Sequence, residues 1–161
     1  MRYDKKQREM KGIFFLLAAT LLISCSATTP YRRLPQSKSE DRLTAVAYSW
    51  LNTPYRYGGN NRNGIDCSSL AQNIYAQAYH YSLPRTSKEQ YKKGQVVRIS
   101  WIRAGDLIFF KSNRTAKLDH VGVYLGDGKF IHATRQKGVI ISDLNTSYYK
   151  ERIVGVRRYL R

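Results

Sequence analysis

The spacing of apolar residues predicts helices in the first half of the chain. The first helix begins after Ser39, which supplies a capping side chain, and ends at Asn52-Thr53-Pro54. Its apolar positions recur at helical spacing: Leu43, Val46, Ala47, Trp50 and Leu51. A second helix is capped by Asp66. Its predicted buried face comprises Leu70, Ala71, Ile74, Tyr75 and Ala78.

Two turn-rich segments flank the second helix. Residues 55–64 form a predicted loop in which Gly58-Gly59-Asn60-Asn61 and Asn63-Gly64 supply positions of positive φ, so the backbone can fold closely beneath that helix. After it, Leu83-Pro84-Arg85 predicts a turn into a short third helix. Thr86 and Glu89, or Ser87 and Gln90, have the spacing of a capping box there.

The second half of the chain alternates short apolar runs with turns. The runs cover 107–110, 121–125, 130–133, 139–141 and 153–159, and the loops between them are too short for parallel crossovers. Helices followed by an antiparallel sheet predict a single α+β domain over 41–161.

The turn at Gly126-Asp127-Gly128 decides whether two histidines can meet. If these three residues are the whole loop, position 122 lies opposite 132. His120 and His132 then share one face, about 7 Å apart between Cβ atoms. A two-residue loop would shift the register by one and send His132 to the opposite face. A shared histidine site therefore predicts the longer or bulged turn.

Cys67 lies on the first turn of the second helix, where it is a candidate nucleophile. A neutral thiol attacks carbonyls poorly, so the chemistry needs an imidazole within reach and a third polar group to orient that imidazole. His120 and His132 are candidates for these two roles, whereas His80, at a helix end near aromatics, is predicted to be structural. The helix dipole is expected to lower the pKa of Cys67. The alternative is a small buried cysteine of the core.

The first residues have the layout of a secretory signal. Five basic side chains precede an apolar run over 13–23, which ends at Ser24-Cys25. Residues 1–24 are predicted to be a cleaved signal peptide and residues 25–40 a polar tether. The alternative is an uncleaved membrane helix, for which the apolar run is shorter than the roughly 20 residues that span a bilayer.

The charge is strongly positive, with a formal net value of +17, of which residues 1–24 carry three units. Such a balance attracts anions, and for an exported protein these are wall peptides and anionic lipid headgroups rather than nucleic acid. A basic, soluble surface without a ligand is an equal alternative. No cluster has metal-ligand spacing and no disulfide is expected, so we predict no metal and no cofactor.

Several motifs arrive in the order found in one family of cell-wall peptidases. They are Thr53-Pro54-Tyr55-Arg56-Tyr57-Gly58-Gly59, Asp66-Cys67-Ser68, Leu83-Pro84-Arg85, Gly105-Asp106-Leu107, His120-Val121-Gly122-Val123-Tyr124 and His132-Ala133. Over residues 41–161 the chain resembles the NlpC-type, papain-like cysteine peptidases, in particular the small lipoprotein subgroup of NlpC and Spr. Ser69 departs from the family, which usually has glycine there, and we expect it to narrow the cleft and alter substrate choice.

The resemblance implies a role for each matching residue. Cys67 is the nucleophile, His120 the general base and acid, and His132 the group that orients His120. Tyr55 contacts substrate or supports the oxyanion through its hydroxyl, together with the Cys67 amide. Asp66 either caps the helix or faces the substrate, and Ser68 is similar. Arg85 either binds a substrate carboxylate or is a solvated turn residue, which we favour.

Resemblance to known proteins also suggests how the N-terminal segment is processed and which substrate is cleaved. Leu22-Ile23-Ser24-Cys25 resembles a bacterial lipobox, which implies a lipid anchor at Cys25, and Ser26 implies outer-membrane sorting toward the periplasm. We expect a monomeric peptidoglycan endopeptidase acting on stem peptides. The D,D cross-link between diaminopimelate and D-alanine is favoured narrowly over the D-glutamate–diaminopimelate bond. A non-enzymatic wall-binding lipoprotein and a related thiol amidase or acyltransferase remain alternatives.

Overall fold

The computed structural model describes residues 38–111 and 117–160. The predicted signal peptide, the predicted lipidation site Cys25 and nearly all of the predicted tether lie outside these residues. The described residues contain four helices, α1 (Lys38–Ser49), α2 (Cys67–Tyr79), α3 (Ser87–Lys93) and α4 (Ser147–Lys150), with a 3-10 turn at Ile99–Trp101. Within the described ranges, no helix is long and apolar enough to cross a membrane.

The strands form a small hairpin and one larger sheet. β1 (Asn60–Asn61) pairs with β2 (Gly64–Ile65). The six other strands are β3 (Gln95–Val97), β4 (Leu107–Lys111), β5 (Leu118–Gly126), β6 (Lys129–Thr134), β7 (Gly138–Asp143) and β8 (Ile153–Arg158). Their order across the sheet is β3-β8-β4-β5-β6-β7, and every neighbouring pair is antiparallel. The predicted α+β class is thus confirmed.

Alternating side chains give the sheet two buried faces. One face carries residues such as Phe109, Val121 and Ile131, which pack with Leu43 of α1 and Ile74 of α2 in the main core. The other face carries a smaller cluster of buried side chains: Ile108, Phe110, Tyr124, Phe130 and Leu144. All five residues predicted for the inner face of α2 are buried. The sheet is therefore covered by the helices on one side and by the α4 region on the other.

Some local predictions were wrong or incomplete. The segment 55–64 contains the β1–β2 hairpin rather than only a loop, and only Gly58 in it has positive φ, at 72°. Gly59 is needed for close packing instead, since a Cβ there would lie 2.3 Å from the carbonyl oxygen of Gly64. Helix α1 begins at Lys38, one residue before the expected cap at Ser39.

Candidate active site

Asp66 holds the start of α2 through a network of hydrogen bonds. Its Oδ1 accepts from the Ser69 amide at 2.7 Å and from the Ser68 hydroxyl at 2.9 Å. This confirms the predicted helix cap. Arg85 donates to Asp66 Oδ2 at 2.7 Å and to the Ser68 hydroxyl at 3.0 Å. Arg85 is thus an exposed turn residue, as favoured, but its guanidinium also pairs with Asp66 at the helix cap.

The Asp66 carboxylate stays charged in this network. Burial disfavours the anion, but hydrogen bonds from Arg85, the Ser69 amide and the Ser68 hydroxyl outweigh it, so the pKa of Asp66 is lowered. Gln90 of α3 adds a bond from its Nε2 to the Ser68 carbonyl at 3.1 Å. The first turn of α2, which carries Cys67, is thus fixed from two neighbouring segments. Contacts of Asp66 and Ser68 with substrate remain predictions.

Cys67 is the first residue of α2 and is partly accessible to solvent. Burial raises the pKa of its thiol to about 11, although backbone hydrogen bonds from Val121, Ser68 and Cys67 itself oppose this shift. The expectation of a lowered pKa was wrong, because desolvation of the thiolate outweighs the helix dipole. Nearby Asp66 raises the pKa further. In the absence of substrate, the thiol is protonated at neutral pH.

The hairpin between β5 and β6 has the bulge on which a shared histidine site depends. Val123 lies opposite Ile131 and Tyr124 opposite Phe130, but the register shifts so that Gly126 pairs with Lys129. This bulge beside the turn gives the register predicted for the catalytic arrangement. His120 Nε2 lies 2.7 Å from His132 Nδ1, so the two imidazoles are hydrogen-bonded. The predicted meeting of the histidines is confirmed.

Gly122 makes room for this pair. It lies between His120 and Tyr124 on the same face of β5, and a Cβ at this position would be 2.6 Å from the ring of Phe130. That ring stacks on His132 with centroids 4.6 Å apart. Because Gly122 has no side chain, the Phe130 ring can lie against β5 and pack on the His132 imidazole.

Cys67 lies beside the strand that carries His120. The backbone of Val121, the next residue in β5, hydrogen-bonds to Cys67, and α2 packs against β5 and β6. Within residues 38–111 and 117–160 no hydrogen bond joins the thiol to the His120 imidazole. Such bonds are often long without substrate and tighten when it binds. The segments that carry the histidine pair and the cysteine are therefore adjacent, and their union in one catalytic site stays a prediction.

Burial also keeps both imidazoles neutral. It lowers the pKa of His120 to about 4 and that of His132 to about 3, with the neighbouring His120 charge adding to the shift of His132. A protonated thiol and a neutral imidazole are the protonation states required for general-base activation. It differs from a pre-formed thiolate–imidazolium pair.

Two hydroxyl residues bind the far side of His132. Its Nε2 lies 2.9 Å from Ser142 Oγ and 3.4 Å from the Tyr149 hydroxyl, and these two oxygens are 3.2 Å apart. Ser142 is on β7 and Tyr149 on α4. Sequence reasoning missed both, because a serine in a strand and a tyrosine among thirteen carry no distinguishing signal. The pairing of β6 with β7 does indicate Ser142, because His132 lies opposite Ile140 and Ser142 is two residues further along the same face of β7.

Tyr55 lies near the thiol, and it contacts Arg135, a third residue that the sequence analysis did not identify. Burial raises the pKa of the Tyr55 hydroxyl, while a hydrogen bond with the Arg135 side chain opposes the shift, and Cys67 and Asp66 are close enough to add to it. A bridge between Tyr55 and Ile65 fixes this segment next to the start of α2. Tyr55 is therefore close enough to Cys67 to interact with it electrostatically, and exposed Arg135 contacts its hydroxyl. The role of Tyr55 in substrate or oxyanion binding stays a prediction.

Two other residues lie apart from the site. Ser69 is completely buried and its hydroxyl has no hydrogen-bond partner in the described part of the chain. It therefore does not line the cleft, and the expectation that it narrows the cleft was wrong.

His80 ends α2 in a left-handed conformation and contacts Arg42 at 2.9 Å, which agrees with the structural role predicted for it. Among residues 38–111 and 117–160, no group of three His, Cys, Asp or Glu side chains is placed to hold a metal.

A cysteine on the first turn of a helix, packed against an antiparallel sheet with a hydrogen-bonded histidine pair, defines a papain-like cysteine hydrolase. The particular family follows from comparison with known proteins. The NlpC/P60 family model matches residues 52–158, and the chain belongs to this family.

Relatives of known name agree with this assignment. The chain is 31% identical to the murein DD-endopeptidase MepS/murein LD-carboxypeptidase of Escherichia coli, over 94% of this chain and 93% of that protein. A solved NlpC/P60 family protein from Bacillus cereus has a TM-score of 0.70 and 35% identity, covering 79% of this chain and 42% of that chain. RipD from Mycobacterium tuberculosis, described as a non-catalytic NlpC/P60 domain protein adapted to peptidoglycan binding, has a TM-score of 0.63 and 27% identity, covering 78% of this chain and 100% of that chain.

Proposed function

We propose that this chain is a lipid-anchored peptidoglycan endopeptidase in which Cys67, His120 and His132 carry the reaction. Membership of the NlpC/P60 family and similarity to a murein endopeptidase support the enzyme class, a cysteine-type peptidoglycan hydrolase. The 2.7 Å bond between the two imidazoles, next to the strand segment that contacts Cys67, is the observation that carries the assignment of the triad.

The proposed reaction has two steps. In the first, Cys67 sulfur attacks the amide carbon of a stem peptide while its proton passes to His120, which then protonates the leaving amine and leaves a thioester. In the second, His120 takes a proton from water, the resulting hydroxide attacks the thioester, and the proton returns to sulfur. His120 Nε2 is engaged by His132, so Nδ1 is the nitrogen that exchanges the proton.

Tyr55 and the Cys67 amide are the proposed oxyanion donors. Arg135 hydrogen-bonds the Tyr55 side chain. When its guanidinium donates to the phenol oxygen, the phenolic proton is left to point at the developing oxyanion. Asp66 and Ser68 border this position and are the proposed substrate contacts. No cofactor is required for these steps.

The favoured bond is the D,D cross-link between diaminopimelate and D-alanine. Similarity to a protein named as a murein DD-endopeptidase over nearly the full length of both chains supports this choice. Digestion of purified sacculi, followed by mass spectrometry of the fragments, tests it. Loss of cross-linked dimers with intact D-glutamate–diaminopimelate bonds is expected, whereas cleavage at D-glutamate would overturn the bond assignment but not the enzyme class.

A Cys67→Ala variant tests the catalytic proposal. It should bind sacculi as the parent does and release no fragments, with Cys67→Ser as a second variant that preserves polarity. Equal digestion by the variant and the parent would remove the triad. RipD shows that this fold also occurs without catalysis, so a parent that binds sacculi but never cleaves them would favour the wall-binding alternative.

The anchor is proposed separately from the chemistry. The lipobox-like sequence before Cys25 supports diacylation of this residue and retention of a monomeric enzyme in the outer membrane, facing the periplasm. Labelling with radioactive palmitate should mark the parent and not a Cys25→Ala variant. Equal labelling of both proteins would contradict the anchor while leaving the triad untouched.

A further inference from the structure

The two hydroxyl groups beside His132 form a small network on the side of its ring away from His120. Ser142 Oγ lies 2.9 Å from His132 Nε2, Tyr149 oxygen lies 3.4 Å from the same nitrogen, and the hydroxyls are 3.2 Å apart. His132 itself is only 1% exposed. Its two ring nitrogens thus have different partners, an imidazole on one side and hydroxyls on the other.

We propose that Ser142 and Tyr149 are positioning residues that hold His132 in one tautomer and thereby keep His120 able to accept the thiol proton. This inference rests on the proposed triad and extends it by two residues. Neither hydroxyl contacts the reacting atoms, so both act only through the histidine pair.

The proton positions follow from the donors and acceptors along the chain of bonds. For His120 to accept the thiol proton at Nδ1, its own proton must be on Nε2, where it donates to His132 Nδ1. His132 Nδ1 must then be unprotonated, so the proton of His132 is on Nε2. That proton needs an acceptor, and Ser142 Oγ at 2.9 Å supplies it.

Loss of the Ser142 and Tyr149 hydroxyls would move the proton from Nε2 to Nδ1 on both histidines. An N–H donor without a partner is costly in a buried position, so the proton of His132 would move to Nδ1 and donate to His120. His120 would then carry its proton on Nδ1, the nitrogen that faces away from His132. In that tautomer it cannot accept a proton from Cys67, and catalysis slows although every catalytic side chain is still present.

The Ser142 and Tyr149 hydroxyls can partly replace one another as acceptors for His132, so single and double variants must be compared. Tyr149 is within reach of His132 Nε2 when Ser142 is lost, and its ring is held by Phe110 and Phe130 at centroid distances of 5.6 and 4.9 Å. Tyr149→Phe keeps this ring packing and removes only the oxygen. Single Ser142→Ala and Tyr149→Phe variants should therefore lose less than about threefold in kcat, and the double variant roughly tenfold or more, with KM changed less than about twofold.

Kinetics are measured on a soluble cross-linked muropeptide. Tyr148→Phe is the matched control, because Tyr148 is 51% exposed and its side chain contacts Arg152 and the Tyr149 ring rather than His132. It should behave as the parent. Ser142→Thr keeps a hydroxyl and should restore the activity lost in Ser142→Ala when both are combined with Tyr149→Phe.

A direct readout separates positioning from a structural effect. The chain has three histidines, so ¹⁵N-histidine NMR of the full chain resolves three imidazoles, and a His80→Asn variant identifies one of them. On a Cys67→Ala background, His132 should carry its proton on Nε2. Adding Ser142→Ala and Tyr149→Phe should move it to Nδ1. Should that variant fail to fold, Ser142→Val and Ser142→Thr, two side chains of similar shape, are compared instead, each combined with Tyr149→Phe.

Parent-like kcat in the double variant, or a loss of kcat without a change of tautomer, would overturn the inference. Either result leaves the proposed function intact, since that function is tested by cleavage of sacculi by the parent and by the Cys67→Ala variant. The two proposals are therefore separable by experiment.

Discussion

Two hydrogen-bonded networks meet near Cys67, and they are built from opposite kinds of group. The start of α2 is held by a charged network, in which the Asp66 carboxylate binds Arg85 at 2.7 Å. The histidine pair is held by neutral groups, with Ser142 and Tyr149 beyond it. Cys67, the proposed nucleophile, is thus positioned by charged groups, whereas His120, the proposed base, is positioned by neutral groups and stays able to accept a proton.

The difference reflects what each network must do. The Asp66 network only has to fix the backbone at the first turn of α2, and a strong ion pair suits a fixed geometry. A carboxylate next to His132 would instead favour a protonated histidine pair. The Ser142 and Tyr149 hydroxyls orient the imidazole rings without favouring their protonated form.

The largest expected effect comes from removing the centre of the charged network. Asp66→Ala deletes the helix cap and leaves Arg85 and the Ser69 amide without their acceptor, so we expect a loss of roughly 2–4 kcal/mol in the free energy of unfolding. Asp143→Ala is the matched control, because the Lys129–Asp143 ion pair is exposed to solvent and should contribute little to stability. Urea unfolding measures both, and equal losses would contradict the distinction.

Acid should weaken the neutral network first. The pKa values of His120 and His132 in the folded chain, about 4 and about 3, lie below the ordinary value of 6.5, so the unfolded chain binds protons more readily. Their contribution to stability is complete above pH 6.5 and is lost as the pH falls toward 4. Asp66, whose pKa is lowered, keeps its charge through this window.

We expect the free energy of unfolding to fall by roughly 1–3 kcal/mol between pH 6.5 and 4.5. A His132→Asn variant should show a shallower dependence over the same interval. Urea titrations at four or five pH values measure the slope. An identical slope in both proteins would show that the buried histidine does not titrate as described.

Gly122→Ala tests how tightly the neutral network is packed. The added methyl group would meet the Phe130 ring at 2.6 Å, and Phe130 supports His132. We expect a loss of roughly 1–3 kcal/mol in stability and a disproportionate loss of activity. Gly126→Ala, where an added Cβ has open space but φ is 102°, serves as a control for backbone strain alone. Full activity in a stable Gly122→Ala protein would contradict this packing.

Ser69 should give the smallest effect, and one of opposite sign. Its buried hydroxyl lacks a hydrogen-bond partner among the described residues, so Ser69→Ala should stabilise the chain by about 0.5–1 kcal/mol. Ser69→Gly should be less stable than Ser69→Ala by about 1 kcal/mol, because glycine disfavours a helix. Neither variant should change the cleaved bond. Thermal unfolding and fragment analysis check both expectations.

The sequence predicted the parts of the site that depend on local pattern. Helical periodicity and the cap at Asp66 placed Cys67 on the first turn of α2, and counting residues around Gly126 predicted the bulge that joins His120 to His132. Each depends on a few neighbouring residues, for which spacing is informative.

Contacts between segments far apart in the chain could not be predicted from the sequence. Arg85 reaches Asp66 across 19 residues, and the edge strand β3 pairs with β8, about 60 residues later. The raised pKa of Cys67 depends on how deeply the packing of α2 against β5 desolvates the sulfur, which helical periodicity does not reveal. Ser142 and Tyr149 are ordinary residue types whose role exists only once β7 and α4 are placed beside His132.

The central claim is that the thiol and imidazole are both neutral before substrate binds, and the pH dependence of Cys67 alkylation tests it most directly. The rate of reaction with iodoacetamide, followed by mass spectrometry of the peptide that contains Cys67, should keep rising from pH 7 through pH 10, because burial raises the thiol pKa to about 11. A rate that is already constant between pH 5 and 8 would reveal a thiolate–imidazolium pair and contradict the account.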